Sequence, residues 1–418
     1  MPGPLHGYTI LELATMVSGP LATQLLADQG ADVIKIEEPR EGDLMRHLGP
    51  KRGGMTAIFT TVNRNKRSLA LDLKTREGLR VLEHLVESAD VFVQNFRPGV
   101  AERMGLGWEA MRTLRPDLVY LSISGFGETG PYAQKRVYDP IIQALSGLAA
   151  IQADRDTGRP RMMRTIIPDK ITAMTAAQAV TAALLERERS GQGQHIRLAM
   201  LDAAVSFAWP EGMVTHTFVG DGVAEAKPGS TADLVYETAD GYLTASTMSD
   251  SEWQGMARAT GHLEWLDDAR FSTAGGRVAN SDARLRMVGE VLRERTTAEW
   301  LRALEAEDVP CAPILDRDEL IRDPQVAENA LLVEEMHPLA GRIRYARPAA
   351  RFARTPADVR RPAPALGQHN QEILGEIGYS SDEITALYEA GAFGSPPPPS
   401  MSAHRHAAAT GDRGDGHG

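Results

Sequence analysis

Apolar positions along the chain follow two alternating rhythms, short strand-like runs and longer stretches near a 3.6-residue period. Thr9-Ile10-Leu11-Glu12-Leu13 reads as a short strand. Ser18 to Gln29 reads as a helix with Leu21, Leu25 and Leu26 on one face. Gly30 follows where a glycine just past a helix end turns the chain. Ala31 to Glu37 predicts a second strand. The pattern continues with Ser68 to Leu71 (strand), Glu77 to Ser88 (helix), Asp90 to Gln94 (strand) and Leu118 to Ser122 (strand). Such alternation implies an α/β fold whose parallel sheet is covered on both faces. Right-handed crossovers align the loops after each strand along one edge, the edge where ligands bind in such sheets.

Ile171 to Arg189 predicts a long Ala-rich helix, broken by Ser190-Gly191-Gln192-Gly193, and His195 to Met200 is strand-like. Residues 211–230, rich in Gly, Thr and Ala, read as a linker. Tyr242 to Thr247 opens a smaller, more helical region that runs to Cys311 and holds Trp253, Trp265 and Trp300. A return segment, 330–394, ends in the helix Ser381 to Glu389, with Ser380 or Ser381 as N-cap. Ser395 to Gly418 carries four successive prolines, then small polar residues, and is expected to be disordered. His404, His406 and His417 in it read as a solvated tail rather than a metal site. No repeat of 20–50 residues is visible. The expected division is 1–210, 211–329, 330–394 and 395–418.

The length, 418 residues, exceeds one compact core and favours two domains. Hydrophobic residues at 42% and charged residues at 24% describe an ordinary soluble protein, and charge or glycine interrupts every apolar stretch before membrane-spanning length. Met1 to Gly7 lacks the basic start and apolar run of a secretory signal. The single cysteine, Cys311, excludes an internal disulfide and a cysteine-built zinc site, so a reducing cytoplasm is the expected compartment. A net charge of −11 argues against a general nucleic-acid binder. Residues 35–136 nevertheless hold 17 Lys and Arg against 13 Asp and Glu, which suits a small polyanionic ligand or, more blandly, a scattered solvated surface.

Several segments could carry chemistry. Gly125-Phe126-Gly127-Glu128-Thr129-Gly130 spells G-x-G-x-x-G, but Pro131 and Tyr132 follow where a nucleotide-binding helix should open. Asn63-Arg64-Asn65-Lys66-Arg67-Ser68 is either a phosphate-binding patch or a solvated turn. Gln94-Asn95-Phe96-Arg97-Pro98-Gly99 would sit at the ligand-binding sheet edge, where Asn95 offers a donor and an acceptor and Phe96 a flat face; a strand-ending turn is the alternative. Asp169, in Ile167-Pro168-Asp169-Lys170, falls at the start of the Ala-rich helix, where free N–H groups and the helix dipole keep a carboxylate ionised. It reads either as a cap or as a nucleophile able to attack an acyl carbon. His195 and Cys311 have no visible triad partners and read as structural residues. No His or carboxylate spacing suggests a metal site.

Taken in order, further motifs frame these candidates: Leu5-His6-Gly7-Tyr8-Thr9-Ile10-Leu11-Glu12, Gly19-Pro20, Gly30 to Glu37, Asn65-Lys66-Arg67-Ser68, Asp72-Leu73-Lys74, Asn95 to Gly99, Gly191 to His195, and Met200-Leu201-Asp202-Ala203. In this order and spacing they resemble the class III CoA-transferases, the CaiB–BaiF family, from Leu5 to about Phe393. The resemblance implies a large Rossmann-like domain built from both chain ends, a smaller inserted domain, and a homodimer of two interlocked chains. It implies Asp169 as the catalytic aspartate. CoA contacts map onto Val17, Ser18, Leu71, Asp72, Leu73, Lys74, Asn95, Phe96, Arg97, Arg103, Arg136, Val137, Tyr138 and Asp139. It implies CoA and acyl-CoA as substrates, a carboxylate acceptor, and no metal or redox cofactor. The chain departs from the formyl-CoA transferases at Val17, where they carry Gln, and at Thr247 to Glu252, where they carry a glycine run. Glu38 stands where they use Arg; Arg40 is a possible substitute. The alternatives are an α-methylacyl-CoA racemase, whose Gly-His-Asp motif is Val137-Tyr138-Asp139 here, and a non-catalytic CoA-binding protein.

Overall fold

The computed structural model describes residues 2–154, 157–220 and 234–394. The expected disordered tail, with His404, His406 and His417, lies outside the described residues, as does much of the expected linker. Six strands form the main sheet: β1 (Thr9–Leu13), β2 (Asp32–Glu37), β3 (Lys66–Ala70), β4 (Val91–Gln94), β5 (Val119–Ser124) and β6 (Gln194–Ala199). Their order is β3-β2-β1-β4-β5-β6, and every pairing is parallel. The order reverses at β1, whose neighbours are β2 on one side and β4 on the other. The loops after β1 and β4 therefore diverge and open a crevice at the C-terminal sheet edge.

Helix α1 (Ser18–Asp28) links β1 to β2, and α2 (Arg76–Ser88) links β3 to β4. Gly30, at φ +110°, makes the turn out of α1, and a Cβ there would meet the Gly3 backbone at 3.0 Å. Helix α3 (Asp139–Leu145) follows β5. The Ala-rich helix α4 runs Ile167–Ser190, four residues earlier than the sequence pattern placed its start, and Gly191 at φ +71° ends it. Helix α5 (Met200–Gly212) extends into the region read as a linker.

Two clusters sandwich the sheet. One joins Leu11, Phe92, Val81 and Leu82 with Ile373, Leu374 and Phe393, so the chain's late segment closes a core begun by its early strands. The other packs Ile10, Val91 and Val119 against Ala173, Ala176 and Val180 of α4. The alanines let α1 and α4 lie close over the sheet. A separate core gathers Tyr236, Leu243, Trp253, Trp265, Trp300 and Leu304, all from 234–311. The Trp300 indole N–H is satisfied by the Leu292 carbonyl at 2.7 Å. Strands Leu332–His337 and Gly341–Ala346 form a hairpin, and Ser380 caps the last helix (Ser381–Glu389) in a capping box with Glu383.

The segment Asn63 to Ser68 corrects the sequence reading. It is neither a solvated turn nor an open phosphate patch, because all six residues are buried. Arg64 pairs with Asp28 at 2.7 Å, and Arg67 binds Asp32, Glu372 and Glu376. Lys66 donates to Pro20 O at 2.7 Å and Asn63 Oδ1 at 2.8 Å, and lies 2.7 Å from Glu12. Buried cations must be paired, and here the partners come from β1, β2, α1 and the C-terminal segment. No helix among the described residues is long and apolar enough to cross a membrane.

Candidate active site

The loop after β1, Ala14 to Val17, is held from below by charges. Lys35 on β2 donates to Glu12 Oε1 at 2.8 Å and to Ala14 O at 2.9 Å. Asp43 accepts the Met16 N–H at 3.0 Å and pairs with Lys35 at 2.9 Å. Met16 is thereby held at φ +71°, a left-handed conformation that an unbranched side chain adopts only at a cost of order 1 kcal/mol. From the other side of the switch point, Asn95 accepts the Thr15 N–H at 3.0 Å and donates to Thr15 O at 2.7 Å. Asn95 thus joins the two loops while still lining the cavity, with one N–H and one lone pair not used in that bracing.

Gly19, in the first turn of α1, lies so close to the loop that a Cβ there would sit 2.3 Å from the Ala14 methyl. This contact brings the start of α1 over the crevice. Val17 at the N-cap has no side-chain oxygen, so α1 is not capped from within. The Ser18 N–H and hydroxyl lie close enough to the Asp169 carboxylate to lower its pKa.

Asp169 is the third residue of α4. The capping role is filled by its neighbour. Asp139, at the start of α3, accepts the Asp169 N–H at 3.3 Å and the Gln143 side-chain amide at 2.6 Å. The Asp169 carboxylate is left facing a cavity of about 480 Å³. Burial, then the nearby Asp139 charge, push its pKa up to about 6, against the pull of Ser18. The helix N-terminus therefore does not leave it an ordinary carboxylate, as its sequence position suggested. It is ionised at neutral pH, and among the described residues no cation pairs with it. Burial also raises the Asp139 pKa.

The cavity brings together Val17, Ser18, Asn95, Phe96, Arg97, Arg136, Val137, Tyr138, Asp139 and Asp169. Arg103 lines an adjoining cleft of about 380 Å³, which shares Phe96, Arg97 and Pro98 with the cavity. Leu71, Asp72, Leu73 and Lys74 line neither space. Leu71 is in the core and Leu73 packs on it. Asp72 accepts the Lys74 N–H at 3.0 Å in a turn, and Lys74 is exposed. Glu38 is also turned inward on its own loop, accepting the N–H groups of Arg40 and Glu41 at 3.0 and 2.8 Å. The G-x-G-x-x-G segment opens no helix. Gly125 instead admits Val137, whose methyl would lie 2.6 Å from an added Cβ. His195 lies 2.8 Å from Ser122 Oγ and stacks on Trp108, in keeping with a structural strand residue.

Sequence reasoning missed Met16, Met45, Ile58, Ile166 and Met200, which also line the cavity. They come from five separate segments, and each is an unremarkable apolar residue in its local pattern. Only Met16 carries a signal, its strained backbone, and that is invisible before folding.

The fold is a doubly wound parallel sheet with a half-buried carboxylate lining the cavity beside its switch point. Residues 5–370 match CoA-transferase family III, and the chain belongs to that family. It is 33% identical to the succinyl-CoA:glutarate CoA-transferase of Homo sapiens over 396 residues, covering 93% of this chain and 89% of that protein. It is 33% identical to the formyl-CoA:oxalate CoA-transferase of Shigella sonnei over 415 residues, covering 93% and 99%. Among solved structures, a CaiB/BaiF family protein from Brucella suis superposes with a TM-score of 0.79 at 30% identity, over 90% of this chain and all of that one.

Proposed function

We propose that the enzyme moves CoA from an acyl-CoA thioester to an organic-acid carboxylate, with Asp169 carrying the acyl group and then CoA. The observation that carries this reading is the Asp169 carboxylate. It lines the cavity, with Ser18 of a second helix beside it, and among the described residues no cation pairs with it.

A carboxylate oxygen of Asp169 attacks the thioester carbon, and the C–S bond breaks to leave a mixed anhydride and CoA thiolate. The thiolate attacks the aspartyl carbonyl carbon, the anhydride C–O bond breaks, and the donor acid departs from an aspartyl-CoA thioester. The acceptor carboxylate attacks that thioester, CoA thiolate leaves, and the thiolate opens the new anhydride on the acceptor side. The products are acceptor acyl-CoA and free Asp169. The Ser18 N–H and hydroxyl, beside the Asp169 carboxylate, are placed to stabilise negative charge on the aspartyl oxygen in each addition. Arg97, Lys135 and Arg136 are exposed cations at the cavity, and Arg103 lies in the adjoining cleft. They suit the phosphates of CoA. The reading includes a homodimer. Phe207, Trp209 and Phe218 are large exposed apolar residues on or near α5, the kind of surface a second copy covers.

Trapping tests the chemistry. Incubation with labelled acyl-CoA and hydroxylamine should yield an aspartyl hydroxamate at Asp169, located by peptide mass spectrometry. Deuterium wash-in at the α-carbon without such an adduct would mark a racemase instead. No histidine lines the cavity to serve that reaction.

A further inference from the structure

We infer that the acyl group handled at Asp169 is an aliphatic chain rather than one ending in a second carboxylate. This rests on the Asp169 reading above and names its substrate class.

The wall beside Asp169 is apolar on two sides. Met16, Val17, Met45, Ile58 and Ile166 belong to one hydrophobic cluster. Val137 and Met200 belong to a second. The charged residues that line the cavity are Asp139, Asp169, Arg97, Lys135 and Arg136. The three cations come from the loops after β4 and β5, and Arg97 is shared with the cleft that holds Arg103. The three cations and the Met16–Ile58–Ile166 wall therefore come from different segments of the chain, although they share one cavity. Arg46, next to Met45 of that wall in sequence, has its guanidinium committed. It donates to both oxygens of Glu37, at 2.8 and 2.6 Å, and to Pro364 O at 3.0 Å.

A terminal carboxylate placed against this wall would trade its water for apolar side chains, and the cations lining the cavity are those that CoA phosphates would occupy. Such a carboxylate would also sit near the Asp139 and Asp169 charges. An alkyl chain there buries apolar area, and three methionines supply a wall that adapts to chains of different shape. The named relatives act on glutarate and oxalate, so the inferred preference separates this enzyme from both.

The experiment compares butyryl-CoA with succinyl-CoA as donors to the purified full-length enzyme, with a labelled monocarboxylate acceptor and mass-spectrometric detection. Hydroxylamine trapping at Asp169 is run in parallel. The expected result is a kcat/KM at least about tenfold higher for butyryl-CoA, rising roughly three- to fourfold per methylene from propionyl- to butyryl-CoA. Ile58→Lys, which places an ammonium at the half-buried wall, should lower the butyryl-to-succinyl ratio about tenfold, while Ile58→Met should preserve it. A preference for succinyl-CoA with Asp169 trapped from both donors overturns the aliphatic assignment and leaves the nucleophile in place. Turnover with no adduct at Asp169 overturns both. The donor ratio of the unaltered enzyme decides the matter even where Ile58→Lys does not fold.

Discussion

Glu12 and Asp169 are both acidic side chains tied to the same stretch of chain, the turn from β1 into α1. Glu12 lies fully buried beneath it, between Lys35 and Lys66, with Thr23 Oγ donating at 2.5 Å. Burial alone would raise its pKa, but the two ammonium groups outweigh burial and hold it at about 2. Asp169 is less buried, yet it has only Ser18 as donor and Asp139 as neighbour, and its pKa rises to about 6. The difference teaches that partner identity, more than depth, decides whether a carboxylate is structural or reactive. A salt-bridged carboxylate has its charge neutralised and its lone pairs occupied. Asp169 has no such partner among the described residues, which is what the proposed nucleophile role requires.

The largest expected effect comes from removing the reactive member. Asp169→Ala or Asp169→Asn should reduce CoA transfer by at least about a thousandfold. CoA affinity measured by calorimetry should stay within about tenfold, or about 1.4 kcal/mol. The folded-state pKa of Asp169 lies above its unfolded value, so its charge opposes folding above about pH 6 and has no effect below the ordinary carboxylate range. Asp169→Asn should accordingly raise Tm at pH 8 and leave it unchanged near pH 3. A fall in Tm at pH 8 together with lost binding would mean a structural carboxylate, and the contrast with Glu12 would collapse.

Removing the structural member should act in the opposite sense. Glu12→Gln leaves Lys35 and Lys66 buried side by side and should cost about 3–5 kcal/mol in urea unfolding. Because the Glu12 pKa is depressed when folded, its contribution is complete above its unfolded value, near 4.3, and fades as pH falls through about 2. Acid unfolding of the parent protein should show that loss, and the variant should lack it.

Two smaller changes test how the loop couples the two acids. Gly19→Ala forces its methyl against that of Ala14, and the relief of that clash is expected to shift the start of α1, where Ser18 lies beside Asp169. A drop of about 10- to 100-fold in kcat, with a smaller change in KM, is expected. Asp139→Asn removes the like charge beside Asp169 but keeps an oxygen for the Asp169 N–H. The acid limb of the kcat/KM profile, expected near pH 6 in the parent, should move downward by up to about one unit. An unmoved limb would show that burial alone sets the Asp169 pKa.

Much of the main sheet could be read in advance. Strands β1, β2, β4, β5 and β6 and helices α1 and α2 fall within a few residues of their apolar patterns, because each buries one face or both and so keeps a clean rhythm. Strand β3 was read two residues late, and the basic run leading into it was misjudged: Arg64, Lys66 and Arg67 look solvated until acids from distant segments arrive to pair with them. Asp169 was recognised as a candidate, with cap and nucleophile both open. That Asp139, thirty residues away, accepts the Asp169 N–H could not be read from the sequence.

The sequence by itself determined the alternation of strands and helices, the switch from that pattern to the Trp-rich region, and the residue types able to do acyl chemistry. These are local properties, governed by side-chain periodicity and by what a carboxylate or a glycine can do. Tertiary structure alone decided which charges are neutralised, which loops Asn95 joins, and which scattered apolar residues wall the cavity. Those outcomes depend on pairwise distances between segments far apart in the chain, and Coulomb energies and desolvation follow distance in space rather than order in sequence.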